Sequence, residues 1–499
     1  AAEPTTAGAA APADSQAKGT LRVATTTDIG AIEVPNAAER NAINAAWTMF
    51  DGMLWIDDEG NIQPALAEKY EVSADNLTYT FNLRKDVTFH NGEPFNADSP
   101  VFSWKTYSQD GVKYQADWTV ASSVEKVDDY TVKITLKQPN ALFLRQVALR
   151  WAMIPPKYYE EVGKDGFAQK PVGTGPFVFK EWVKGDHLTV TANPNYWNTG
   201  YPKLAEITFK TMPESATRVA AVQAGEIDIA TRLTATEAKS VEGAGGVQIV
   251  SYPVDRAYYL AFNNISTGKG TPIEDKNVRQ ALIYAIDRKA IVDKLFDGAA
   301  TVALGMTAPN TLGFVESDPI PYDPEKAKEL LKAAGHGDGF EIGMGCPDGA
   351  YSNINEVCQA IAGYYKDIGI KVDLNIQESN AYWDLEGKKQ LPPLFVDGWS
   401  STDGEAYWRL KGLLDKEQTY GAWDNPELLK QVDALLSTLD QNKRAEMYGE
   451  IQKDMADDPP LVPLYYVETF EAVSDRVENY KPRAAEDYFL WNVSVKDGQ

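Results

Sequence analysis

"VCQAIAGYYKDIGIKVDLNI", Val357 to Ile376, decides the class of fold. It opens with helix-spaced apolar residues, turns at a glycine and ends in a run that alternates apolar and polar residues, the order helix, turn, strand. Upstream, "SATRVAAVQAGEIDIA" repeats that order, and downstream "DNPELLKQVDALLSTLDQNKRAEMYGEIQKDMAD" reads as a pair of helices. "YDPEKAKELLKAAGHG" is a further helix, capped by Asp323, with Pro324 first and Gly335 after its end. Such alternation of elements makes the last third of the chain α/β.

The first third is richer in hairpins. "LRVATTT" and "DDYTVKITLKQP" read as strands, and "LTYTFNLRKDVTFHNGEPF" as two strands with a turn at Asn91-Gly92. "GPFVFKEWVKGDHLTVTAN" gives two strands about Gly185. Ser99-Pro100 predicts a helix start, with Ser as N-cap and Pro in the first helical position. "AAERNAINAAWTMFDGMLW" has helical spacing at Ile43, Trp47, Phe50 and Leu54, and "DKNVRQALIYAIDRKAIVDKLFDG" predicts one helix stopped by Gly298. Two mixed lobes of different texture argue for a cleft between them, and ligands favour such junctions.

Bulk properties narrow the function. At 499 residues the chain is too long for one core, and 43% hydrophobic content with 12 Trp, 25 Tyr and 17 Phe is ample for burial. Seventy-two acids against 48 bases give a net charge of -24, a field that repels nucleic acid and anionic membranes. No run approaches the ~20 apolar residues of a membrane-spanning helix. Residues 1–19, within "AAEPTTAGAAAPADSQAKGT", are too poor in large apolar side chains to repay their ordering entropy and are expected to form a flexible tail. The tail has neither a basic start nor an apolar stretch, so the expectation is a secreted protein whose signal has already been removed, with no lipid anchor.

Cys346 and Cys358, twelve positions apart, lack the spacing of a zinc site. They read as a disulfide, which presupposes an oxidising compartment, with two buried free thiols as the alternative. The three histidines, His90, His187 and His336, are scattered in turns and strands, and no phosphate-cradling loop, nucleophile elbow or His-Glu-x-x-His is present. No catalytic residue, metal site or cofactor is expected. The abundant carboxylates leave a secreted hydrolase as the alternative.

Further segments occur together in a telling order: "LTYTFNLRKDVTFHNGEPFNADSPVFSW", "PVGTGPFVFKEWVKGDHLTVTANPNYW", "AAVQAGEIDIA", "YYLAFNN", "VRQALIYAIDRKAIVDKLFDG", "YDPEKAKELLKAAGHGDGFEI" and "DPPLVPLYY". From about Leu21 to Tyr466 this order resembles family 5 extracellular solute-binding proteins of the peptide and nickel type, the receptors that feed ATP-driven importers. The resemblance implies a periplasmic binding protein-like α/β fold, with two main lobes around a cleft, hinge crossings and an extra third lobe. Lobe I would be discontinuous, 20–47, 170–262 and 470–499; lobe II would span 48–169 and lobe III 263–469, with hinges near Asn263 and Phe470. A periplasmic monomer that hands its solute to a membrane permease is implied. The glycines and proline of "VGTGPF" are read as setting a tight turn before a strand.

The resemblance also suggests site residues. In peptide-binding relatives a stretch like "GW..DY.DP" carries an Asp that pairs with the α-amino group of the ligand. Here Gly398-Trp399 match, Ser400 and Ser401 follow, the Asp slot falls on Thr402, the acid is displaced to Asp403, and the Asp-Pro becomes Glu405-Ala406. A one-residue offset turns a side chain to the other face of an extended chain. Asp403 is therefore either a ligand anchor or a turn residue bonded to its own backbone, while Trp399 would form an aromatic wall. Arg40 would meet a ligand carboxylate, Arg232 and Arg256 stand where cleft-facing residues occur, and Tyr114 and Trp118 would cover the ligand. Three arginines point to an anionic or zwitterionic solute, a short peptide foremost, with an opine or oligosaccharide as alternatives. No His or Met cluster favours a nickel chelate.

Overall fold

The computed structural model describes residues 17–37, 40–58, 60–112, 115–243, 245–309, 311–400, 404–418 and 420–496, apart from the side chain of Asn380. The predicted tail up to residue 16, and Tyr114, Ser401, Thr402 and Asp403, lie outside these residues.

Two unusually long strands, Val247–Phe262 and Leu461–Ser474, organise the molecule. They lie antiparallel at the centre of an eleven-stranded sheet. On one side, residues 256–262 pair with Leu394–Ser400, which leads to the parallel strands Phe340–Asp348 and Ile370–Glu378. On the other, the far end of Leu461–Ser474 pairs with Ile229–Leu233, followed by Thr20–Thr25, Glu206–Thr211, His187–Ala192 and Phe177–Val183. One sheet therefore runs through both main lobes. The register of the long pair breaks between Pro253 and Ala257, before Asn263. Asn263 itself is anchored at the end of its strand, its amide donating to the Leu391 carbonyl at 3.0 Å.

A separate four-stranded antiparallel sheet holds Ala67–Val72, Thr78–Leu83, Thr131–Leu136 and Ala121–Asp128. Its inward residues, among them Phe81, Val132 and Ile134, join one hydrophobic core with Leu21, Val23, Phe177 and Phe209 of the large sheet. A second core fills the region from Tyr258 to Tyr465 and includes Cys346 and Cys358, which are disulfide-bonded. Leu142, from the chain just after the four-stranded sheet, is buried in this second core, and the Ala141 amide donates to the Leu436 carbonyl at 2.8 Å.

Most predicted elements are present, and four differ. Of the two strands read about Asn91-Gly92 only Thr78–Leu83 forms, and the turn is closed by an isolated bridge between Thr88 and Pro94. The helix from Arg40 ends at Trp47 instead of continuing through Leu54. The Thr48 and Met49 carbonyls accept the amides of Phe177 and Gly175 at 3.0 Å each, so this backbone serves the neighbouring segment. A Cβ at Gly173 would lie 2.1 Å from the Met49 carbonyl oxygen. The "VGTGPF" glycines thus permit close approach of two backbones rather than an unusual turn. The helix Asp98–Tyr107 starts before Ser99, and the Asn96 side chain accepts the Asp98 amide at 2.8 Å. The stretch after Lys276 is two helices, Lys276–Tyr284 and Arg288–Leu295, because the Asp287 carboxylate accepts the Ala290 amide at 2.8 Å and starts a new one.

Candidate functional site

A cavity of about 440 Å³ opens between the second core, represented by Tyr258, Phe296 and Tyr351, and a smaller buried cluster that includes Leu233. Arg232 enters it from the end of Ile229–Leu233, Arg256 from the register break of the long strand, and Glu486 from the C-terminal segment. Tyr351, Ser352 and Asn353 form the opposite wall. Arg232 Nε donates to Glu486 Oε1 at 2.8 Å, and Arg256 Nη2 lies 3.8 Å from Oε2. Burial pushes the Glu486 carboxyl up, but the fields of Arg232, Arg256 and Arg40 outweigh it and hold the group below the usual carboxylate range. The Arg256 guanidinium lies 5.5 Å from the Tyr351 ring centroid, and its buried Nε has no hydrogen-bond partner among the described residues.

Backbone strain gathers here. Among the described residues seven non-glycine positions have positive φ, and four of them, Arg232 (53°), Asp297 (51°), Asn353 (56°) and Glu486 (58°), line this cavity. Each left-handed residue costs about 1 kcal/mol or more and persists only where its surroundings over-determine it, as they do at binding sites.

The rest of the wall is fixed from behind. Tyr351 Oη donates to Asp397 Oδ1 at 2.7 Å, and the Tyr258 ring stands edge-on to Tyr351 at 5.0 Å. Gly398 makes this possible, since a Cβ there would lie 2.7 Å from the Tyr258 ring and 3.1 Å from Arg256 Cδ.

Of the suggested site residues, Arg232 and Arg256 converge. Ser400 pairs with Arg256 across the strands, one step from the cavity. Arg40 is near enough to act on Glu486, but lines a second cavity on the far side of the C-terminal segment. Trp118 does not cover a ligand: it is fully buried and stacked on Trp151 at 4.7 Å, in the core behind the four-stranded sheet. Trp399 does not line the cavity and faces away, packed edge-on to Tyr420 at 4.8 Å and over Gly412, where a Cβ would lie 1.9 Å from the indole. Glu405 is structural, held by Arg444 at 2.8 and 3.1 Å and by Tyr448 at 2.8 Å. The sequence reading missed Glu486, Tyr351 and Asn353. Two of these are single polar residues in coil, and only their positive φ marks them.

Residues 61–421 match the model of Bacterial extracellular solute-binding proteins, family 5 Middle. The chain belongs to this family. As a family 5 solute-binding protein it is the solute-capturing subunit of an ABC importer and not an enzyme. It is 33% identical over 449 residues to the glutathione-binding protein GsiB of Salmonella choleraesuis (strain SC-B67), covering 87% of this chain and 86% of that one. The structure of HbpA2 from Haemophilus parasuis is similar with a TM-score of 0.84 and 26% identity, over 96% of this chain and 100% of that one. The oligopeptide-binding protein AppA from Bacillus subtilis, in complex with a nonapeptide, gives 0.80 and 26%, over 96% and 100%. No described helix of this family 5 protein is long and apolar enough to cross a membrane.

Proposed function

We propose that this chain captures a short acidic peptide of the size and charge of glutathione in the 440 Å³ cavity, and delivers it from the periplasm to a membrane permease. The observation that carries this reading is the pair Arg232 and Arg256 sharing the single carboxylate of Glu486. Two guanidiniums face the carboxylate of Glu486 while Asp297 is held by Lys239 at 2.6 Å, which leaves donors for a ligand carboxylate, among them the Arg256 Nε, unpartnered among the described residues. Glu486, and the exposed Glu468 at the rim, offer negative charge to an α-amino group. The resemblance to a glutathione-binding protein supports the same ligand class. The net charge of -24 supports a protein that works apart from nucleic acid, and the enclosed cleft, built from one chain, supports a monomer.

Calorimetry and thermal shift with glutathione, neutral tripeptides, opines and oligosaccharides test the proposal. Glutathione at one hundred times its Kd is expected to stabilise the fold by about 2.7 kcal/mol. Arg232→Gln and Arg256→Gln are each expected to weaken binding at least tenfold, about 1.4 kcal/mol. Sugars that raise the melting temperature while no peptide does would remove the peptide reading.

A further inference from the structure

The second cavity, of about 270 Å³, has a different chemistry. It is lined by residues within 40–56, 64–65, 84, 148–150, 176, 196–198 and 483–491, with none of the described residues of 263–469. Its walls are aromatic. Trp55 stands edge-on to Phe489 at 5.5 Å and to Trp491 at 5.7 Å, while Trp47 and Trp197 complete the enclosure.

The polar groups of this cavity are unequally satisfied. Its acids are occupied: Asp51 accepts from Thr174 at 3.0 Å, Tyr196 at 3.2 Å and Trp197 Nε1 at 2.9 Å, and Asp487 accepts from Arg483 Nε at 2.8 Å and again from its Nη2. Several of its donors are engaged too: Arg84 donates to the Ala65 carbonyl at 2.6 Å, Arg483 to the Asp57 carbonyl at 2.9 Å, and Arg150 lies 3.6 Å from Asp117. Among the described residues Arg40 has no hydrogen-bond or ion-pair partner, and the indole N–H groups of Trp47, Trp55 and Trp491 have none either. Burial of Arg40 disfavours its charge, which Asp487 and Glu486 offset only in part from a distance. Arg40 is half-buried, and the lining sets Arg40, Arg84, Arg150 and Arg483 against the two acids Asp51 and Asp487, a charge balance that favours an anion.

The geometry points to a second binding site, for one planar aromatic carboxylate, with its ring among the tryptophans and its carboxylate on Arg40. A volume just below the usual range for small-molecule pockets suits one ring system. Because the described residues of 263–469 contribute nothing, occupation is expected to require no closure of the main cleft.

The test uses indole-3-acetate and its neutral isostere indole-3-acetamide as probes in calorimetry on the full chain. The acetate is expected to bind one to one, at least tenfold more tightly than the amide. Arg40→Gln is expected to abolish that preference, and Trp55→Ala to weaken both probes. Saturating glutathione, or the Arg232→Gln variant, is expected to leave the acetate affinity unchanged, so this result stands or falls apart from the glutathione reading. Absence of acetate binding at millimolar concentration, equal affinity for acid and amide, or displacement by glutathione overturns the proposal. The comparison of the two probes on the unaltered protein needs no variant to fold.

Discussion

Arg409 is fully buried in ion contact with Asp255, the residue at the register break of the long strands. Its guanidinium also donates to the Asp255 carbonyl at 2.9 Å and the Met306 carbonyl at 3.0 Å, and Thr311 donates to the Asp255 carboxylate at 3.1 Å. Removing one partner leaves the other charge buried and uncompensated. Arg409→Met is therefore expected to cost about 3–5 kcal/mol in denaturant unfolding. Glu471 carries a different penalty. Burial raises its pKa from the usual 4.5 to about 7, although Tyr480 at 2.5 Å and Tyr252 at 2.9 Å donate to it. Below 4.5 both folded and unfolded forms hold the proton; between 4.5 and 7 only the folded form does, so stability falls as pH rises through that window and levels off above it. Glu471→Gln is expected to flatten this fall, a difference of about 3 kcal/mol between pH 4.5 and pH 8 by unfolding titrations. Arg232 and Arg256 were legible because strand motifs flank them. Glu486 was not, since its role follows from a chain reversal that brings residue 486 to residues 232 and 256, and no local pattern encodes that meeting.

Elements with strong local punctuation were readable. The helix Pro324–Ala333 is capped by Asp323, which accepts the Lys326 amide at 2.8 Å, and Gly335 follows with φ 82°. Boundaries failed where tertiary partners competed, as at Trp47, whose helix stops because the next carbonyls are taken by residues 175 and 177. The aromatics failed for a related reason. A tryptophan at a plausible cleft position reads the same in sequence whether it faces solute or core, and Trp118 and Trp399 both face protein. The predicted cystine joins the strand Phe340–Asp348 to the helix Ile354–Asp367, and Tyr351 to Asn353 lie in the loop between them. Replacing both cysteines with alanine is expected to lose about 3 kcal/mol by the loop-entropy relation. Weaker glutathione binding should accompany the loss, because the loop that is freed carries one wall of the cavity.

Across the molecule, the α/β class and the division into two main lobes were legible from alternation and length. The continuity of one sheet through both was not, because pairing between residues 247–262 and 461–474 spans about half the chain. Two strands tie the cores on one side of the cleft. A further link is the contact at Ala141 and Leu142, where one backbone hydrogen bond and one buried leucine reach from the first core to the second. This contact adds a second bridge between the cores, and parting it is expected to ease the opening that releases a solute. Its strength then acts as a clock for residence time: Leu142→Ala should speed glutathione release about tenfold, or 1.4 kcal/mol, in stopped-flow displacement, with association little changed. An unaltered release rate would place the exit elsewhere. The dwell of the loaded receptor, and so the interval in which it can find its permease, would then be set by a patch that never touches the cargo.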